Sequence, residues 1–285
     1  MICLLGFGEV GQSFATDWGT GFTAWDVKFS DPGAGPSKAL AGFGLTAPAS
    51  AQEAVAGAEI VVCAVTAAQD EAAARAVAGG LSAGAYFLDV NSASPGQKRR
   101  AAKVIEDAKG RYVEGVIMSP IGHKRLASPM LLGGPHAAGF EAVARKVGFS
   151  GARFYAPQIG LASATKLCRS VMIKGIEALL TEAMLTARHY GVEGEVLASL
   201  SDFFPGQDWE KLAYYMIGRG VQHGARRAEE MREAAETVAE AGLAPLMSVA
   251  IAARQDLSAG LKQALDEPDL GAMLDAMTAK TQGKT

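Results

Sequence analysis

Residues 6–11 read Gly6-Phe7-Gly8-Glu9-Val10-Gly11 and stand between an apolar run, Ile2–Leu5, and a helix-patterned segment over 11–18. A glycine turn between a buried strand and a helix fits few folds. Each glycine has its own task in a dinucleotide-binding turn. Gly6 permits the tight bend, Gly8 lets the backbone approach a pyrophosphate, and Gly11 lets the helix pack close to the sheet. The helix N-terminus then presents free N–H groups and a positive dipole end to the phosphates. Phe7, Glu9 and Val10 fill the remaining places of the loop and are expected at the cofactor with the glycines. Asp26 closes the next apolar run, 22–28, about 20 residues after Gly6, where a carboxylate accepts ribose hydroxyls. A carboxylate there repels a 2′-phosphate, so NAD is expected over NADP; the nearby Lys28 keeps NADP open. The plainer alternative is a glycine turn with a surface aspartate, and FAD proteins share the motif.

Short apolar runs continue at 59–65, 85–90, 112–118 and 129–132, with helical patterning over 69–77 and 96–108 between them. Strands alternating with helices imply an α/β fold, a doubly wound and mostly parallel sheet covered on both faces. Ligands in such sheets lie outside the carboxyl ends of the strands. Thr66 leaves one strand, and Asn91 and Ser92 leave the next, so all three are candidates to touch the cofactor. Their plainer reading is loop and helix-cap chemistry. Past about residue 155 the β-branched runs stop. One long helical pattern covers 160–190 and a second covers 223–241. The expected organisation is a Rossmann domain over 1–157 and an all-helical domain over 158–285, joined by the long helix.

The net charge of −3 gives no field to draw the chain to nucleic acid or an acidic membrane surface. Three separated cysteines, Cys3, Cys63 and Cys168, argue against a disulfide framework and a structural zinc site. The opening residues lack the basic and apolar regions of a signal peptide, and no run reaches the roughly 18 apolar residues of a membrane span. A cytoplasmic protein with no metal is expected.

The long helix carries Gly160-Leu-Ala-Ser-Ala-Thr-Lys166-Leu-Cys168-Arg169-Ser170. At helical spacing Lys166, Ser170, Ile173 and Glu177 share a stripe, with Lys174 further round. Burial disfavours a lysine's charge, so a lysine in an apolar cleft gives up its proton more readily. Such a lysine can take the proton of a hydroxyl as hydride leaves the same carbon. Taken from the helix alone, Lys166 reads as an ordinary solvated lysine.

The pattern as a whole resembles the β-hydroxyacid dehydrogenase family, which includes 3-hydroxyisobutyrate and 6-phosphogluconate dehydrogenases. The resemblance rests on the glycine turn, on Asp89-Val-Asn91-Ser92-Ala-Ser-Pro95, on Tyr112-Val-Glu114-Gly-Val-Ile-Met118 and on the glycine-to-lysine helix. It implies that Lys166 is the catalytic lysine. It further implies a Rossmann domain, an interdomain helix, a cleft before a helical domain, and oxidation of a small 3-hydroxy acid by a homodimer or tetramer. The C-terminal part resembles a helical domain of unassigned function. Two departures stand out. The asparagine usual four residues after the lysine is Ser170 here, and the usual Ser-Gly-Gly substrate loop is Met118-Ser119-Pro120.

Ser119, Ser170, Lys174 and His223 are the expected substrate residues, binding an organic acid. His123, Lys124 and Arg125 form a basic loop suited to anion capture or to plain solvation. Aromatics of the segment 202–209 read as core, and Cys168 reads as packing. Two functions of different class remain: a dehydrogenase, or the same scaffold run as a carbonyl or imine reductase; and a non-catalytic dinucleotide-binding redox sensor. Retention of Lys166 favours the enzyme, since a sensor has no need of it. A dimer is expected through the alanine-rich helical half.

Overall fold

The computed structural model describes residues 1–122 and 124–282. The chain divides into two compact units, Met1–Lys166 and Leu167–Thr285.

In the first unit β1 (Ile2–Leu5) leads through the glycine turn into α1 (Glu9–Trp18), then β2 (Phe22–Trp25). The helices α2 (Gly35–Gly42) and α3 (Ala51–Val55) precede β3 (Ile60–Cys63), α4 (Asp70–Ala78), β4 (Tyr86–Asp89), α5 (Pro95–Asp107) and β5 (Arg111–Ile117). The unit continues with β6 (Met130–Gly133), α6 (Ala137–Lys146) and β7 (Ala152–Ala156). One sheet runs β2-β1-β3-β4-β5-β6-β7. All neighbours are parallel except β5 and β6. Its central strands are buried on both faces, which is why they read as unbroken apolar runs rather than alternating ones.

One face carries Leu4, Phe14, Phe22, Val62, Leu88 and Phe149 in a single cluster. The other carries Leu5, Val55, Val61, Phe87, Ile105 and Tyr112. Phe14 and Trp18 of α1 meet Phe149 edge-on, and Trp18 Nε1 donates to Val147 O at 2.7 Å. On the outer strand β7, Glu141 Oε2 accepts the N–H of Phe154 at 3.0 Å.

The second strand is shorter than the apolar pattern predicts. It stops at Trp25 because Asp26 accepts the N–H of Lys28 at 2.9 Å and turns the chain into a 3-10 turn over Val27–Ser30. The small helices α2, α3 and α6 and the strand β7 are additions to the sequence reading. For α3 the start signal was present: Ser50 caps Glu53 N, and Glu53 reaches back to Ala49 N.

The helix α7 (Leu161–Tyr190) begins in the first unit, and its residues from Leu167 belong to the second. The second unit adds α8 (Glu193–Phe203), α9 (Trp209–Glu240), α10 (Leu246–Ala259) and α11 (Leu270–Gln282). Helix α9 starts fourteen residues before the expected 223, capped by Asp208, whose carboxylate accepts from Lys211 N. Gly220 and Gly224 blur its sequence pattern for a packing reason. A Cβ on Gly224 would meet Gln255 O at 2.5 Å, so α9 and α10 cross too closely for a side chain. Leu180, Met184, Ile217, Val221, Leu274 and Met277 form the main core of this unit. Arg188 clamps α11 through both oxygens of Asp275 at 2.8 and 2.6 Å. Two corrections follow: Cys168 is exposed, and of the aromatics in 202–209 Trp209 packs against this core while Phe203 and Phe204 stand 79% and 51% exposed. Among the described residues no helix is long and apolar enough to cross a membrane.

Candidate active site

Because β2 and β3 flank β1 on opposite sides, the chain leaves β1 and β3 in opposite directions. A crevice opens at the carboxyl ends of those two strands, and the glycine turn sits there. Gly6 has φ +94, donates to Trp25 O at 2.8 Å, and would drive a Cβ to 2.5 Å from Ala64 O. Gly11 would drive one to 2.2 Å from Gly6 O. Both are required by the fold. Gly8 is not: its φ is −80, and a Cβ there would meet nothing within 4 Å. The protein itself offers no reason for a bare backbone at Gly8, whereas a pyrophosphate lying against it does. Helix α1 starts at Glu9, and its N-cap Gly8 makes no side-chain cap; a helix start of this kind favours an anion through its dipole. The residues present therefore fit a dinucleotide.

Phe7 contributes only its backbone: its ring is fully buried against Phe22, Phe29 and Phe43. Its N–H donates to Asp26 Oδ2 at 2.7 Å, so Asp26 is fixed by the turn it serves, with Lys28 N on the other oxygen. A carboxylate accepts about four hydrogen bonds, so capacity for ribose hydroxyls remains. Glu9 is exposed and Val10 half-buried at the helix start.

Beyond β3, Thr66 is exposed. Asn91, after β4, is 4% exposed and braced on several sides. Its Oδ1 accepts Val65 N at 2.7 Å, its Nδ2 donates to Asp70 Oδ1 at 2.8 Å, and its own N–H goes to Asp89 Oδ1 at 2.9 Å. Its side chain ties the two strand-end loops together, while the next residue, Ser92, faces outward to accept from Lys166 Nζ at 2.6 Å. Lys166 and Ser92 are half-buried.

Beneath this pair lies a polar layer that sequence reasoning missed. Lys98, fully buried, pairs with Asp89 Oδ1 at 2.7 Å, and Tyr112 donates to Asp89 Oδ2 at 2.5 Å. Burial, then the neighbouring Asp89 charge, pushes the Asp70 carboxyl well up. Burial alone would pull the Lys98 ammonium down, but Asp89, Asp70 and Glu114 outweigh it and hold it raised. Glu114, also fully buried, accepts Gly160 N and Ser163 N at 2.8 Å each, and the Ser163 hydroxyl. The available signal was an acid inside each apolar run, Phe87-Leu88-Asp89 and Tyr112-Val113-Glu114.

Ser119, just past β5, has a buried Oγ with no hydrogen-bond partner among the described residues. A buried unpaired hydroxyl is costly, and a substrate oxygen would relieve it. Of the basic loop, His123 lies outside the described residues, and Arg125 pairs with Asp17 at 2.7 Å.

In the second unit, Ser170 Oγ accepts from Lys174 Nζ at 3.0 Å, and Lys174 pairs with Glu230 at 2.7 Å while only 5% exposed. The Lys174 ammonium is thus engaged by its own helices. Glu177, one turn on, pairs with Arg227 at 2.8 Å; burial pushes its carboxyl up against the opposing pull of Arg227. His223 is half-buried on α9.

Residues 1–144 match the family described as the NAD binding domain of 6-phosphogluconate dehydrogenase, and residues 187–258 match a domain of unknown function, DUF1932. A conserved hypothetical protein from Sinorhizobium meliloti 1021 is 33% identical, over 98% of this chain and 96% of that one, with a TM-score of 0.77. A conserved protein of unknown function, noted for structural similarity to 3-hydroxyacid dehydrogenases, is 27% identical over 90% of this chain and 96% of its own, with a TM-score of 0.70. An uncharacterized 28.5 kDa protein of Methanothermus fervidus is 27% identical over 161 residues, 56% of this chain and 61% of that relative, so the match spans less than two thirds of the relative's length. At 17–18% identity the fold is shared with 3-hydroxyisobutyrate dehydrogenases and an imine reductase.

Proposed function

Because this chain belongs to the family of the NAD binding domain of 6-phosphogluconate dehydrogenase, we propose that it is an NAD-dependent dehydrogenase acting on a small organic acid of the 3-hydroxy class, with Lys166 as general acid and base. The observation that carries this reading is the 2.6 Å bond between Lys166 Nζ and Ser92 Oγ at the carboxyl end of β4, in the same unit as the glycine turn. Bound NAD supplies an acceptor for hydride. Lys166 takes the hydroxyl proton as the carbon loses its hydride, and returns it in the reverse direction. Ser92 holds the amine in place between those steps.

Asp26, fixed by Phe7 N and Lys28 N, favours NAD because a fixed carboxylate repels a 2′-phosphate. Gly6, Gly8 and Gly11 with the backbone of Phe7, Glu9 and Val10 hold the pyrophosphate, and Thr66, Asn91 and Ser92 border the nicotinamide end. Ser119 takes a substrate oxygen with its hydroxyl, which has no hydrogen-bond partner among the described residues. In the second unit, Ser170, Lys174 and His223 are the residues assigned to an organic acid. An ammonium only donates, so Lys174 occupies a lone pair of Ser170 and leaves the serine proton to donate to a carboxylate. We assign 1–157 to the cofactor and 158–285 to substrate and dimer formation. The exposed stripe Leu246, Val249 and Leu257 on α10 supports a homodimer; a monomer by light scattering would refute it. The three free thiols suit a reducing cytoplasm.

The test is NADH formation with a panel of short 2- and 3-hydroxy acids, sugar acids and aromatic hydroxy acids, run beside Lys166→Ala. Turnover lost in the variant while NADH still binds is the expected result. Equal turnover in the variant removes Lys166 from the mechanism. Silence across the panel with binding intact favours the sensor.

A further inference from the structure

We infer that Glu114 is a positioning residue for Lys166, an inference that rests on the reading of Lys166 as the general base. Glu114 lies inside β5, in parallel register with Asp89 of β4 and opposite Gly133 of β6. Its carboxylate is fully buried and faces the first turn of α7, where it accepts Gly160 N, Ser163 N and the Ser163 hydroxyl. Room for it comes from Gly133, whose Cβ would stand 2.5 Å from Glu114 Oε2.

Helix starts are ordinarily capped by the side chain immediately before the first turn. Gly160 holds that place in α7 and has no side chain to offer. The cap arrives instead from a strand 46 residues earlier in the chain. It therefore fixes the helix start to the sheet as well as satisfying its N–H groups, and the carboxylate sits at the favourable end of the helix dipole. Lys166 follows Ser163 by three residues, one turn on along the same face.

The partner of Lys166 is anchored from the adjacent strand. Asp89, held by Lys98 and Tyr112, takes the N–H of Asn91 and sets the turn that carries Ser92. Two neighbouring buried carboxylates thus hold the two ends of the Lys166–Ser92 bond: Glu114 the helix with the amine, Asp89 the turn with the hydroxyl. Glu114 touches none of the atoms proposed to react; it acts through the helix.

The test needs no substrate, so its failure is distinct from failure of the dehydrogenase reading. Lysines are labelled with trace acetic anhydride and read by peptide mass spectrometry, with the exposed Lys280 as internal reference. Glu114→Gln keeps the size but turns an amide donor toward N–H donors. Lys166 labelling relative to Lys280 is expected to rise about fivefold or more, from the loss of charge-assisted hydrogen bonds. Ser163→Ala, which removes one bond, gives a smaller rise, and Glu114→Asp, which restores charge and acceptors, recovers at least about half of the protection. NADH binding stays within about twofold of the wild type in all three, since the glycine turn is untouched. Unchanged Lys166 labelling in both Glu114→Gln and Ser163→Ala overturns the proposal. So does equal labelling of the Gln and Asp variants. If Glu114→Gln does not fold, Ser163→Ala decides alone by the same measure.

Discussion

The two outer demands on the glycine turn, folding and cofactor binding, separate cleanly at Gly6 and Gly8. Gly8→Ala adds a methyl where the protein has nothing within 4 Å, at a φ of −80 that alanine adopts without strain. Loss of unfolded-state freedom stabilises by about 0.4–1 kcal/mol. Alanine is a poorer N-cap than glycine by a similar amount, roughly 0.5–1 kcal/mol. The two offset, so the melting temperature should move by less than about 4 °C. The same methyl stands between the backbone and a pyrophosphate. Losing one charge-assisted hydrogen bond costs about 1.5–3 kcal/mol, or roughly 10- to 150-fold in affinity. Gly6→Ala behaves in the opposite sense. Its φ of +94 and a contact of 2.5 Å with Ala64 O make it a folding variant. Strain and overpacking together cost roughly 2–6 kcal/mol, lowering the melting temperature by at least about 5 °C. NADH fluorescence titration and thermal melting by circular dichroism measure both quantities. Wild-type NADH affinity in a normally melting Gly8→Ala protein would show that the pyrophosphate does not lie on this turn.

Three further outcomes follow from the buried layer and from Asp26. Asp70 has a raised pKa in the folded state, so the folded chain binds its proton more readily than the unfolded chain; stability from this group is greatest at low pH and falls as pH rises from the ordinary aspartate value toward the folded one. Asp70→Asn should therefore stabilise increasingly over that range in urea titrations at stepped pH, and a pH-independent difference would refute the assignment. Tyr112→Phe removes the donor to Asp89 Oδ2 and should cost about 1–3 kcal/mol in the same titration; an unchanged midpoint means the bond contributes nothing. Asp26→Asn keeps an acceptor for Phe7 N but loses the charge, so the preference for NADH over NADPH should shrink about tenfold or more. An unaltered ratio of dissociation constants would exclude Asp26 from cofactor choice.

Strand–turn–helix patterning located β1, the glycine turn and most of the parallel sheet, because strands buried on both faces are written as apolar runs. Short elements were illegible: α2 and α3 have too few residues to show a period, and β7 is an outer strand with three exposed positions. The start of α9 was hidden by glycines that serve contact with α10 rather than a break. At the site, Lys166 and Ser92 were named separately, and only the folded chain joins them. Asn91 also braces the two strand-end loops, a role that no spacing in the sequence announces. Glu114, Lys98 and Tyr112 carry no spacing rule, since their partners come from other strands and helices; their one trace was charge inside apolar sequence.

The edge of the sheet has a consequence for handling the protein. Glu141 covers the outward N–H of Phe154 on β7, and that hydrogen bond, ahead of Arg145, holds its carboxyl below the ordinary carboxylate range. The cover is complete above that range and is withdrawn as pH falls through the lowered value. An uncovered Phe154 N–H, beside the exposed Phe154 and Tyr155 side chains, is an open place in a sheet for the strand of a second molecule. Acid elution below that value is therefore expected to favour edge-to-edge association, read as a rise in light scattering.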